Sequence, residues 1–197
     1  MKDFNTANSQ DELIPAGTIA RATFKLKGGG NHGEHNLLSK SDKTGSIGLN
    51  AYFTIDDGKY KGRRIYQLIG IEGVKRNAEG EDVWGDMGCS LIRSIIESGH
   101  NIHPTNKSEK ARKIRAIASY NDLEGLKCLI KIGVEVNKTG EFSDKNKIFA
   151  AITPADKNYT TLINAPIGAT SNPQDNNNTS GSADASTNTE PDDEIPF

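Results

Sequence analysis

Apolar residues recur at every second position in five stretches of this chain and at helical spacing in two more. Residues 1–12 are polar and without period, which predicts a flexible N-terminus. Ala22, Phe24 and Leu26 then alternate with Thr23, Lys25 and Lys27, predicting a first strand over residues 18–27. Ile47, Leu49, Ala51, Phe53 and Ile55 share one face of a second strand over 47–56, opposite Asn50, Tyr52 and Thr54. Asp57-Gly58 is a turn signal. A third strand follows over 63–71, with Ile65, Gln67 and Ile69 against Arg64, Tyr66 and Leu68, so the two strands read as a hairpin. The period then changes. Leu91, Ile92, Ile95 and Ile96 predict a helix over 87–98 that stops at Gly99, and residues 107–119 form a second, basic helical segment. Alternation returns over 125–135, where Leu126, Cys128, Ile130, Ile132 and Val134 oppose Lys127, Leu129, Lys131 and Gly133. A fifth strand over 147–153 ends at Pro154. Residues 28–46 are predicted to be a long loop, a functional or mobile one.

Five strands with helical matter between the third and fourth give a mainly β class with a helical insertion. This is the element order of a five-stranded OB-fold barrel, which binds oligonucleotides across its second and third strands. The domain is expected over residues 13–159. From about residue 160 the chain is Asn, Ser, Thr, Ala, Asp and Gly with few apolar residues, too few to offset the entropy of ordering. A disordered acidic tail is therefore expected, with a linker over 160–191 and a distinct tip over 192–197.

Charge sharpens that division. All 24 Lys and Arg residues precede Thr161, whereas six of the 26 acids follow it. The body thus carries about +4 and the tail −6, a balance suited to a polyanion-binding body. The hydrophobic fraction is 34% and the mean hydropathy −0.61, so the core is modest. The sequence shows no signal peptide and no apolar run long enough to span a membrane, and Cys89 and Cys128 read as reduced thiols at core positions. A cytoplasmic protein is expected.

A single-strand binder needs cations for phosphates and flat side chains for bases. The positions opposite the inferred core face supply both: Arg21, Lys25, Lys27, Tyr52, Arg64, Tyr66, Lys127 and Lys131. Lys59, Lys61 and Arg63 extend the cations at the hairpin turn, and Trp84 precedes the first helix. Lys107, Lys110, Arg112, Lys113 and Arg115 form a second basic run, read equally well as a solvated helix face. His32, His35, His100 and His103 come in pairs, but no CxxC or HExxH accompanies them, so no metal site is assigned. No nucleotide-binding or hydrolase signature is present, so neither enzyme activity nor a cofactor is expected.

The last six residues, Asp192, Asp193, Glu194, Ile195, Pro196 and Phe197, place three carboxylates ahead of an apolar end. This hexapeptide resembles the C-terminal tip of bacterial single-stranded DNA-binding proteins. The body, through Ile14-Pro15-Ala16-Gly17-Thr18, Tyr60-Lys61-Gly62-Arg63-Arg64 and Asp122-Leu123-Glu124-Gly125-Leu126-Lys127-Cys128, is similar over residues 13–153 to a family of bacteriophage OB-fold single-stranded DNA-binding proteins. The resemblance implies a protein of phage replication, recombination and repair. It would coat single-stranded DNA without sequence preference and recruit replication and repair enzymes through the tip. Phe197 would fill an apolar pocket on the partner while its carboxylate meets a cation. A second reading is an OB-fold interaction adaptor that engages or sequesters host repair proteins and binds DNA weakly or not at all. A third is an accessory recombination subunit whose basic face contacts duplex or RNA. The oligomeric state stays open, a homo-oligomer included.

Overall fold

The computed structural model describes residues 12–137 and 143–164. Residues 1–11 of the expected flexible N-terminus, the linker beyond Asn164 and the tip Asp192 to Phe197 lie outside the described residues.

The strands are β1 (Ile19–Leu26), β2 (Leu38–Lys40), β3 (Ile47–Ile55), β4 (Arg64–Glu72), β5 (Lys127–Glu135) and β6 (Lys145–Ile152). The helices are α1 (Val83–Gly99), α2 (Glu109–Arg115) and α3 (Tyr159–Asn164). All strand pairs are antiparallel. β4 runs along one edge of β3, and β1 followed by β2 takes the other. β1 divides its length, with Ala22 to Leu26 facing β3 and Ile19 to Thr23 facing β5, which in turn pairs β6. The strand order is β4-β3-β1-β5-β6, with β2 attached to β3.

The alternation fixes the core. Leu49, Ala51, Phe53 and Ile55 are at most 2% exposed, and Phe24 meets Phe53 edge to face with ring centroids 5.3 Å apart. Cys128, Ile130 and Ile132 close the same core from β5, and Ile92, Ile95 and Ile96 cover it from α1.

The expected closed barrel is not formed. The sheet is open, because β4 and β6 share no ladder. They approach without pairing, and the Gln67 side chain links them, its Oε1 accepting from the Ile148 amide at 3.2 Å. α1 lies against β4, β5 and β6 at that opening. Its backbone approaches β4 so closely that a Cβ on Gly88 would stand 1.8 Å from the Gly70 carbonyl oxygen.

Four further expectations change. The loop 28–46 contains β2, held by a His32–Leu38 bridge and by the Asn31 side chain bonding both backbone groups of Lys40. α1 begins at Val83, so Trp84 sits in its first turn rather than ahead of it. Asp82 caps that turn, its carboxylate accepting from the Gly85 amide at 2.9 Å and the Gly73 amide at 2.7 Å. Cys89 is exposed on α1 rather than part of the core. The chain does not lose structure at residue 160 but continues as α3, anchored by Tyr159, which is 2% exposed and donates its hydroxyl to the Ser98 carbonyl. No helix among the described residues is long and apolar enough to cross a membrane.

Candidate nucleic-acid interface

The face of the sheet turned away from the core is built by register. Tyr52 pairs with Lys25 on β1 and with Tyr66 on β4. One row on, Thr54 pairs with Thr23 and Arg64, and Thr23 pairs with Lys127 of β5. The Tyr52 and Tyr66 rings stand 5.5 Å apart, tilted by 39°. Arg64 lies over the Tyr52 ring at 5.3 Å and Lys27 over the Tyr66 ring at 5.2 Å. Tyr66 is 54% exposed and Tyr52 half-buried. Two aromatic faces with a cation beside each, on adjacent strands, form the centre of the candidate site.

β4 extends this face. Leu68 follows Tyr66 at the next outward position and is 50% exposed. The outward position after that is Gly70, and the Trp84 indole occupies the space its side chain leaves: a Cβ there would meet Trp84 Cδ2 at 2.8 Å. Arg64, Tyr66, Leu68 and Trp84 thus line up along roughly 20 Å of strand. The sequence parity already placed Leu68 outward; what it missed was the seat that Gly70 makes for Trp84.

Other expected site residues go elsewhere. Arg21 pairs with the buried Asp57 and donates to the Ile163 carbonyl of α3 at 3.3 Å, so it locks the hairpin turn to the end of the chain's described part. Lys25 stays on the face, but its ammonium is 2.9 Å from Glu124. Its pKa is raised, first by the hydrogen bond to Glu124 and then by that group's charge. Burial works to raise Glu124, yet the Leu26 amide and Lys25 outweigh it and hold the carboxyl below its ordinary value. Lys59 and Arg63 rest against the Tyr60 ring, and Arg63 also donates to the Glu12 carbonyl at 2.6 Å. Lys61 is exposed at the same turn. Lys131 pairs with Ile19, four residues along β1 from the Thr23–Lys127 row, about 13 Å away, and lies over Phe149.

The second basic run also divides. Arg115 and Arg93 both hold the buried Glu97, at 2.7 and 2.9 Å, and Arg115 donates to the Asn106 and His103 carbonyls. It ties α2 and the preceding loop to α1. A cavity of about 530 Å³ beside it, lined by Leu37, Ile92, Ile96 and Ile117, takes no part in the tyrosine face. Burial pushes the Cys128 thiol up to about 12, which leaves it unreactive.

No family model matches the chain, and comparison with curated proteins returns no relative. The geometry therefore stands alone. Lys27, Arg64 and Lys127 make no ion pair among the described residues, and with Tyr52 and Tyr66 they form a surface able to hold phosphates beside stacked bases.

Proposed function

We propose that this protein binds single-stranded DNA across the outer face of β1, β3 and β4, as an OB-type domain. The observation that carries the reading is the Tyr52–Tyr66 pair with Arg64 and Lys27 over its rings. The strand order β4-β3-β1-β5-β6, with α1 and α2 between β4 and β5, supports the OB comparison. Stacking on tyrosine accepts any base, so binding is without sequence preference. Recruitment of replication and repair enzymes through Asp192 to Phe197 is the second half of the proposal and rests on the resemblance of that hexapeptide. The adaptor reading keeps one observation in its favour: the carboxylates of Asp57 and Glu124 hold Arg21 and Lys25, which leaves the face only modestly cationic.

A mobility shift with oligo-dT and with duplex, each at two salt concentrations, tests the proposal. Single strands bind more tightly than duplex, with a log-log salt slope of about −0.7 per phosphate contacted. Equal binding to duplex, or none to either, favours the other readings. A pull-down from bacterial lysate with full-length and Phe197-deleted protein tests the tip. Recovery of the same enzymes by both contradicts it.

A further inference from the structure

Exposed apolar side chains continue past the end of the tyrosine face. Met87 and Phe149 are each 67% exposed. Scattered singly such residues need no explanation, but here they converge. Leu68, Trp84, Met87, Leu91, Lys147 and Phe149 line a cleft of about 230 Å³ at the opening between β4 and β6. Two cations flank its far wall. Lys147 and Phe149 stand side by side over Gly133, where a Cβ would meet Phe149 Cβ at 3.5 Å and Lys147 Cγ at 3.7 Å. Lys131 Nζ lies 5.8 Å from the Phe149 ring centre. Neither lysine has an ion pair among the described residues.

We infer that this cleft holds a base of the same single strand, between Trp84 and Phe149, with Lys147 and Lys131 on the adjoining phosphates. The inference rests on the proposed function. Three observations select this occupant. The cleft is continuous with the Tyr66–Leu68–Trp84 line. Its volume falls below the roughly 300–1,000 Å³ of pockets for drug-sized ligands, which suits one planar ring system. On the other side of Met87 a second groove carries Glu81 and Asp86, which repel phosphate, so the strand leaves over the lysines.

Trp84 is the only tryptophan, so its emission reports on the cleft. Labelled oligo-dT is titrated with the full-length protein, and anisotropy and Trp84 fluorescence are followed together. Binding quenches Trp84. Phe149→Ala, a truncation at an exposed position, weakens binding about 5- to 150-fold, the effect of one stacked base. Lys147→Ala lowers the magnitude of the salt slope by about 0.7. Binding that leaves Trp84 emission unmoved, or wild-type affinity in Phe149→Ala, overturns the cleft and leaves the tyrosine face standing. Absence of binding in the anisotropy overturns both.

Discussion

Single side chains divide sharply into those that hold the fold and those left over for a ligand. Asp82 belongs to the first kind. The Gly73 amide, then the Gly85 amide, and then Arg76 hold its carboxyl below the ordinary value. A carboxyl with a lowered folded pKa adds stability that is complete above its unfolded pKa, near 3.8, and lost as pH falls through the folded value. In urea melts at descending pH, wild type therefore loses more stability below that point than Asp82→Asn does. Parallel losses would show that the cap carries no charge-dependent stability. Glu97 is the second case. It is 3% exposed at the side chain and serves both Arg93 and Arg115. Glu97→Gln leaves two guanidinium groups short of a carboxylate. The cost stays below the about 3–5 kcal/mol of breaking a fully buried pair, because Arg93 remains 56% exposed. The thermal midpoint drops while affinity for oligo-dT per folded molecule stays unchanged. A loss of affinity at full folding would mean that the Arg93–Arg115 cluster contacts the strand.

Among the elements, α1 decides the architecture, because it sits where a closed barrel would join β4 to β6. Its seat depends on Gly88 against Gly70. In an ordinary helix, Gly→Ala adds about 0.8–1.0 kcal/mol of stability. Here the new Cβ would overlap backbone, and overpacking costs about 1–3 kcal/mol. Gly88→Ala is therefore destabilising, read as a lower thermal midpoint; a higher one would contradict the close approach. This seat is not legible in the sequence, whereas the strands are. The strands were legible because a two-residue period exposes which face is buried, and that parity correctly set Tyr52, Arg64, Tyr66 and Leu68 outward. Parity does not give register. That Tyr52 falls opposite Tyr66 depends on the geometry of the turn over residues 56–63. The partners of Arg21 and Lys25 lie 36 and 99 residues away, so nothing local marked those cations as already engaged. β2 is not legible in the sequence because three residues paired to β3 are too short to show a period, and the start of α1 is hidden because Gly85 and Gly88 interrupt its apolar stripe.

The molecule as a whole has an uneven surface. One face of an antiparallel sheet carries aromatic rings with cations beside them, while Arg21, Lys25 and Arg115 are tied to carboxylates of other segments. On that face the cations without an ion pair among the described residues are Lys27, Arg64 and Lys127, so stacking must contribute a large share of any affinity, at about 1–3 kcal/mol per base. Tyr66 is the direct probe, because it is 54% exposed and its removal takes little from the core. The deciding measurement is the affinity of full-length wild type, Tyr52→Ala and Tyr66→Ala for labelled oligo-dT, with the thermal midpoint of each taken in parallel. Tyr66→Ala is expected to weaken binding by about 1–3 kcal/mol with an unchanged midpoint, and Tyr52→Ala to do the same with a small loss of stability from its half-buried ring. Wild-type affinity in both variants would contradict the claim that this face holds the strand.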